Sequence, residues 1–346
     1  MKIVVAMSGG VDSSVTAALL KKEGNDVIGL TMLVTPSEDA AETAGEVARF
    51  LKIPHYVVDF RKVFEELIVS DFCCQYSSGK TPNPCIFCNR LIKFGLLLGK
   101  AKELGAGVIA TGHYVQIEKR IAEGRLLIKK GVDPKRDQSY FLYRLTQAQL
   151  ADVIFPLGTL AKNNVREMAM DMRLPVADRK ESREICFIPD NDYPRFLREH
   201  CTSDTEPGLI TDKQGNILGK HNGIIDYTIG QRKGLGISSK EPLYVVDIDK
   251  QTNTVVVGSK EDTYAGEFIV SDLNWLAFEK PKMPMTVKAK IRYLHPEAEA
   301  VITPIDDERI RVKFAEPQMA ITPGQSAVFY DGDLVIGGGI IERVLH

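Results

Sequence analysis

The first fourteen residues constrain this chain more than any other stretch. An apolar run, KIVVAM (2–7), reads as a buried strand that passes directly into SGGVDSS (8–14), and residues 13–23 (SSVTAALLKKE) read as a helix ending at Gly24. A strand, a glycine turn and a helix N-terminus in that order build a phosphate cradle. Gly9 and Gly10 let the backbone approach a ligand with no Cβ in the way. The helix start supplies unpaired N–H groups and partial positive charge, and Ser8, Ser13 and Ser14 add hydroxyl donors. Asp12 cannot itself solvate a phosphate and reads as a magnesium-side or backbone-ordering residue. No Gly-Lys-Ser/Thr follows, so this is not a Walker A loop. The glycine spacing is also wrong for the dinucleotide fingerprint. An ordinary strand-turn-helix cap is the plain alternative, and seven consecutive matching residues at the end of the first strand weigh against it.

The alternation continues through residue 115 in the manner of a doubly wound sheet. DVIGLTML (26–33), HYVVDF (55–60) and GVIATGHY (107–114) read as strands, with a second helix over 38–51. Between the last two strands lies a mostly helical insertion, 61–105. There the 4-3-4-3 spacing of Phe87, Leu91, Phe94, Leu98 and Ala101 predicts a single buried stripe. More helix follows over 137–175, ending before Leu174-Pro175. From about residue 200 the pattern changes to short strands and glycine-rich turns. We therefore expect an α/β unit over 1–198 carrying the insertion, a small central β domain over 199–269, and a C-terminal β-barrel over 270–346 with a hairpin at Asp331-Gly332. At roughly 150 residues per domain, a length of 346 suggests two or three domains.

No apolar run approaches the ~18 residues of a membrane span, and MKIVVAMSGG lacks the flank and cleavage site of a secretory signal. A cytoplasmic, soluble protein is expected, and nothing demands more than a monomer. With a net charge of -2, a nucleic-acid partner would need positive charge concentrated locally. Two stretches offer it. In MTVKAKIRY (285–293), Lys288, Lys290 and Arg292 share a face with Thr286, opposite Val287, Ala289 and Ile291. In RIRVKF (309–314), Arg309, Arg311 and Lys313 repeat the pattern. A phosphate-tracking surface and a solvated barrel exterior both fit. Gly337-Gly338-Gly339 is followed by no helix, so it reads as a bulge or a close strand approach.

Of six cysteines, Cys73, Cys74 and Cys201 read as free core thiols, and no disulfide framework is expected. The other three sit in more telling surroundings. GKTPNPCIFCNRLIKFG (79–95) places a CxxC at the mouth of a helix, with Pro82 and Pro84 holding the approach extended. Cys88 falls near the helix N-terminus beside Arg90 and Lys93, which favours thiolate. Cys186 stands alone in SREICFIPD (182–190), an apolar, strand-like stretch. A zinc half-site lacks its second pair, the flanks do not suit a thioredoxin-type redox pair, and a lone Cys186 also fits an inert core thiol.

SGGVDSS resembles the loop of the N-type ATP pyrophosphatases, the PP-loop family, which cleave ATP between its α- and β-phosphates. Together with TPNPCIFCNRLIKF, ATGHY, DQSYFL (137–142), ICFI (185–188) and YTIGQRKGLG (227–236), in this order, it resembles the tRNA-specific 2-thiouridylases over essentially the whole chain. The resemblance implies a Rossmann-like PP-loop domain with an anticodon-binding helical insertion, a central β domain and a C-terminal β-barrel. It implies adenylation of the wobble uridine's 2-oxygen by ATP with Mg2+, then replacement of that oxygen by sulfur. ATP would meet Ala6, Met7, Ser8, Gly9, Gly10, Val11, Asp12 and Ser13, with Met32 and Gly112 flanking the adenosine. Cys88 matches the family's nucleophile and Cys186 its persulfide carrier, loaded by a desulfurase or sulfur-relay protein. The tRNA anticodon stem-loop would meet Asn83, Pro84, Cys85, His113, Arg136, Asp137, Gln138, Arg292, Tyr293 and Gln325. Many relatives carry aspartate where this chain has Cys85. With that change Cys85, Cys88 and Cys186 could hold three irons of a [4Fe-4S] cluster, leaving one iron open. An amide-forming ATP pyrophosphatase would share the loop but give the thiols no role, and a tRNA-binding module with a degenerate site would have no use for an intact SGGVDSS.

Overall fold

The computed structural model describes residues 1–120, 124–180, 185–201 and 206–345. The N-terminal half opens with β1 (Lys2–Ala6), α1 (Val11–Lys22), β2 (Asp26–Leu33), α2 (Asp39–Leu51) and β3 (His55–Asp59). The helical insertion follows as two rods. One joins α3 (Arg61–Phe64), a π-helical turn over Glu65–Val69 and α4 (Ser70–Ser77). The other joins α5 (Pro84–Phe87), a π-helical run over Cys88–Leu96 and α6 (Leu97–Glu103). Then come β4 (Val108–Ala110), a hairpin of β5 (Val115–Arg120) and β6 (Arg125–Lys130), α7 (Gln147–Ala151), β7 (Val153–Ile154), α8 (Lys162–Asp171) and α9 (Tyr193–His200).

The first sheet is parallel throughout, ordered β3-β2-β1-β4-β7. Its central strands β1 and β2 are buried on both faces, as crossover helices require, while the edge strand β3 is largely exposed. Val4, Ile28, Leu30 and Ile109 face the insertion and barrel side, while Ile3, Val5 and Val27 face α1, α2 and α8. Strand order runs outward from β1 through β2 to β3 and then resumes at β4 on the other side of β1. This reversal opens a crevice at the C-terminal strand ends between β1 and β4.

A four-stranded sheet, β10-β11-β8-β9, forms the central unit from β8 (Gly208–Asp212), β9 (Ile217–His221), β10 (Tyr244–Asp249) and β11 (Thr254–Gly258). The barrel is built from β12 (Tyr264–Trp275), β13 (Met285–Lys290), β14 (Ala298–Pro304), β15 (Ile310–Met319), β16 (Ser326–Asp331) and β17 (Leu334–Leu345). Its order β12-β15-β14-β13-β16-β17 closes through β12–β17 pairing, leaving no free edge. Gly332 takes a positive φ of 57° in the expected hairpin turn.

The fold departs from the sequence reading in several places. GVIATGHY does not remain a strand beyond Ala110, because the chain peels away where Gly112 meets the start of α1. The β5–β6 hairpin, absent from the sequence reading, pairs with β17 (Leu334 opposite Lys129) and joins the first unit to the barrel. The barrel's first strand begins at Tyr264, ahead of the expected boundary at 270. In the insertion, Phe94, Leu98 and Ala101 are buried as expected. Phe87 and Leu91 are only half-buried, and Ile86, Ile92 and Leu97 complete the inner face. The π-helical run supplies the reason: its wider turns rotate the stripe relative to an α-helical count. Cys73 and Cys201 are not free core thiols but a disulfide pair linking α4 to the end of α9. Ile185 to Ile188 form a turn closed by Ile188 N–H donating to Ile185 O (2.8 Å), not a strand. Ser182, Arg183 and Glu184 of that motif lie outside the described residues.

Candidate active site

The SGGVDSS loop leaves β1 at the crevice. Gly9 has φ 70°, and a Cβ there would come within 2.7 Å of Ala40 O, so only glycine makes this turn without strain. Ser8 N–H donates to Ser13 Oγ (3.2 Å), while Ser13 and Ser14 hydroxyls donate to Gly10 O (3.1 and 2.8 Å). Those bonds hold the loop curled over the first turn of α1, where N–H groups have no helical partner. Ala6 ends β1, Met7 N–H donates to Leu30 O, and Val11 is buried as the helix begins. Met32, half-buried near the end of β2, and Gly112, just past β4, lie on the same C-terminal edge as the loop. A Cβ on Gly112 would stand 2.9 Å from Asp12 and from Ser13 N.

Asp12 is engaged more tightly than its motif suggests. Lys162 Nζ lies 2.7 and 2.9 Å from its two oxygens, and the Tyr114 hydroxyl donates to Oδ1 at 2.6 Å. Paired in this way, the Asp12 carboxylate ties the loop to the start of α8. Lys162 escaped sequence reading, although one local signal was available. A lysine at the first position of a helix opposes the macrodipole, and such misfits mark positions chosen for something else.

The residue after Gly112 reaches the thiols. His113 Nδ1 is 2.7 Å from Thr111 Oγ1, and its ring packs on Phe94 (5.8 Å) and Phe155 (6.1 Å). Burial, with a smaller contribution from Lys93, holds its pKa well below the usual imidazole range. Phe94 belongs to the helix of Cys85 and Cys88, so Gly112 at the loop and His113 at the thiol helix join the two. Cys88 is buried, and its thiol is pushed up to about 12 chiefly by desolvation, with Lys93 opposing. The thiolate expected from the helix dipole is therefore not the resting state, because desolvation outweighs the nearby cation. Burial raises Cys85 too. Cys186 is exposed, yet the atoms packed about its thiol still push its pKa up, and Cys85 adds to the shift. The three thiols thus sense one another. Even so, among the described residues no three His, Cys, Asp or Glu side chains converge as a metal site. Among the described residues no iron–sulfur site is therefore assigned to them.

The Asn83–Pro84–Cys85 approach is fastened to the barrel. Thr81 N–H donates to Pro323 O (2.9 Å), and Gln325 Nε2 donates to Thr81 O (2.8 Å). Thr81 Oγ1 also reaches Thr228 Oγ1 of the central unit (3.4 Å), so all three units meet beside the CxxC. Gln325 accordingly braces this loop. Arg292 is likewise anchored, its Nη2 donating to Ile229 O and Ala320 O (2.9 Å each). Tyr293 is half-buried with its ring 4.4 Å from Phe141, whose carbonyl accepts from Asn89 Nδ2 at 3.1 Å, one residue past Cys88. In DQSYFL, Asp137 is turned inward, not toward a ligand: its oxygens accept from Gly131 N, Ser139 N and Ser139 Oγ. Gln138 Oε1 accepts from Tyr114 N. Arg136 lines a groove of about 450 Å3 with Lys135 and Lys162.

Family comparisons agree with this layout. Residues 1–190 match the tRNA methyl transferase HUP domain, 194–259 its PRC-barrel domain, and 265–341 the aminomethyltransferase beta-barrel domain. The tRNA-specific 2-thiouridylase MnmA 1 of Caldanaerobacter subterraneus subsp. tengcongensis is 55% identical, covering 99% of this chain and 98% of its own. The chain belongs to the tRNA-specific 2-thiouridylase family. A second 2-thiouridylase, MnmA 2 of a Thermoanaerobacter species, is 53% identical with the same coverage. Among solved structures, a 4-thiouridine synthetase–RNA complex with bound ATP aligns with 57% of this chain and 50% of its own at 18% identity and TM-score 0.36, too loosely to carry an argument. For a 2-thiouridylase the layout is economical: one short segment, residues 111–114, touches both the nucleotide loop and the thiol helix. No helix among the described residues is long and apolar enough to cross a membrane.

Proposed function

We propose that this 2-thiouridylase uses ATP, entering with Mg2+ as its counter-ion, to adenylate the 2-oxygen of a tRNA wobble uridine, and then substitutes sulfur for that oxygen. One observation carries the reading: Gly112 abuts Asp12 and Ser13, while His113 packs on Phe94 of the Cys88 helix. A base activated at the loop is thereby within the neighbourhood of the thiols. In the first step the uridine oxygen bonds the α-phosphorus and the α–β bridging bond breaks, releasing pyrophosphate. The loop's N–H groups and hydroxyls stabilise the charge that develops there. AMP is then a leaving group that a carbonyl oxygen could never be.

Sulfur arrives as a persulfide on Cys186, whose exposure suits loading by a desulfurase or relay protein. Cys88 thiolate attacks the inner sulfur, forming a Cys88–Cys186 disulfide and freeing hydrosulfide, which attacks uridine C2 as AMP departs. A dithiol reductant then restores both thiols. Because burial keeps Cys88 protonated in the free enzyme, the nucleophile stays quiet until substrate changes its surroundings. The wobble base must leave its stack to reach this centre, and Tyr293, Phe141, Arg136 and the Gln325-braced Asn83–Pro84–Cys85 loop are the groups we assign to hold it. The chain divides functionally near residues 198 and 269 in this reading.

Incubation with ATP, Mg2+, unmodified tRNA and a persulfide donor should yield 2-thiouridine by nucleoside mass spectrometry, with AMP and pyrophosphate in stoichiometric amounts. Stoichiometric ADP and phosphate would remove the adenylation step.

A further inference from the structure

Two cations lie against the nucleotide loop with no part yet in the proposed reaction. Lys162, the first residue of α8, is only 5% exposed, and its ammonium bridges both oxygens of Asp12 at 2.7 and 2.9 Å. Its backbone N–H donates to Asp133 Oδ2 (3.0 Å), which fixes the start of the helix beside the loop. Arg179, on the exposed turn beyond α8, donates from Nη1 to Gly9 O (3.3 Å) and to Thr43 Oγ1 (2.5 Å). One cation therefore touches the loop at Asp12 and the other at Gly9.

The charges explain why such a pair belongs here. A triphosphate lying on the start of α1 would meet the Asp12 carboxylate as a like charge. Pairing with Lys162 removes that repulsion, and a flexible ammonium already at the cradle can exchange a carboxylate for a phosphate by bond rotation. Arg179 presents a planar set of donors suited to phosphate oxygens, and only one of its nitrogens is committed to the loop in the contacts above. Lys162 also lines the groove shared with Lys135 and Arg136, so positive charge continues outward from the loop.

We infer that Lys162 and Arg179 form a clamp on the pyrophosphate half of ATP, with Lys162 moving from Asp12 to the phosphates as the nucleotide enters. The inference rests on reading residues 8–14 as the ATP loop. When the α–β bond breaks, its electron pair leaves on the pyrophosphate oxygen, and the clamp offsets that charge without any proton changing hands.

The test is equilibrium titration of the full chain with ATP, AMP and inorganic pyrophosphate, each with Mg2+. Lys162→Gln and Arg179→Ala should each weaken ATP and pyrophosphate by about tenfold or more while AMP changes by less than about twofold. Lys162→Arg should recover much of the pyrophosphate affinity. Equal losses for ATP and AMP would reduce Lys162 to a support for Asp12 and overturn the clamp, as would no loss in either variant. Arg179 is exposed, so its variant keeps the test decisive if Lys162→Gln fails to fold by thermal melting. Failure of the wild-type protein to bind ATP at all would instead sink the ATP-loop reading itself.

Discussion

His113 sits where two aromatic rings and a lysine make an imidazolium unwelcome. Its folded-state pKa is depressed, so below about pH 6.5 the unfolded chain takes up a proton that the folded chain refuses. Stability from the neutral ring is complete above that pH and is lost as pH falls through the unfolded value toward the folded one, at up to about 1.4 kcal/mol per pH unit. His55, His221 and His295 are depressed as well and contribute to the same acid limb. Substituting His113→Phe, which keeps the aromatic packing, should flatten the fall in urea midpoint between pH 6.5 and pH 5 without abolishing it. An identical slope would mean His113 is protonated in the folded protein. The thiols make a second prediction. Cys88→Ser and Cys186→Ser should each cut 2-thiouridine formation by at least about a hundredfold while a burst of pyrophosphate persists. Cys85→Ala should retain most activity, and anaerobically reconstituted protein should be colourless. About four irons per chain, with Cys85→Ala as damaging as Cys88→Ala, would make all three thiols cluster ligands.

Strands and helices add constraints that no single residue carries. The π-helical run over Cys88–Leu96 turns the inner face so that Cys88, Asn89 and Ile92 are buried together, which an α-helical count from sequence could not anticipate. In β17 the triple glycine is a close approach: a Cβ on Gly338 would stand 2.6 Å from Ala327 O and 2.7 Å from the Tyr143 ring. Gly338→Ala should therefore destabilise by about 1–3 kcal/mol, read as a lower urea midpoint. On the barrel exterior the alternation read from sequence holds, with Lys288 and Arg311 exposed between buried neighbours. Not every basic residue there is available to RNA: Lys313 pairs with Glu267 (2.7 Å) and Arg309 with Asp306 (2.7 Å). Lys288→Ala with Arg311→Ala should flatten the salt dependence of tRNA binding by about 0.7–0.9 in log–log slope per lost contact. An unchanged slope would return both to a solvated barrel face.

At the scale of the molecule, the barrel is continuous with the catalytic unit. Tyr140 and Tyr143 are both wholly buried; the Tyr140 hydroxyl donates to Ser326 O, and the Tyr143 hydroxyl is hydrogen-bonded to Ser326 Oγ. Arg125 donates to Leu276 O and Trp275 O, and Asn274 Nδ2 donates to Tyr143 O. DQSYFL thus acts as a buckle between units, and its polar groups are consumed internally, as burial demands. The Cys73–Cys201 pair ties α4 of the insertion to α9, which follows Cys186 in the chain. Thiol titration of denatured protein that has met neither sulfur donor nor reductant should count four free thiols, Cys74, Cys85, Cys88 and Cys186, and six after reduction. Six before reduction would dissolve the pair.

Local physics was enough to read β1, the glycine loop and α1, because a buried strand, a positive φ and a helix start are each written within a few residues. β2 fell on the residues expected, and the hairpin at Asp331-Gly332 and the two-faced barrel strands followed from period-two patterning. The family was legible because its motifs are short, ordered and spread over the whole chain. What required the fold were partnerships between residues far apart in sequence: Lys162 on Asp12, Arg179 on Gly9, Gln325 on Thr81, Cys73 with Cys201. The protonation states also required it, since Cys88 looks activated by its helix and neighbouring lysine until packing removes its water. Sequence specifies which groups are present and how each element turns. Only tertiary contact fixes the dielectric around a thiol and the partner of a charge, because both depend on atoms that the chain brings in from elsewhere.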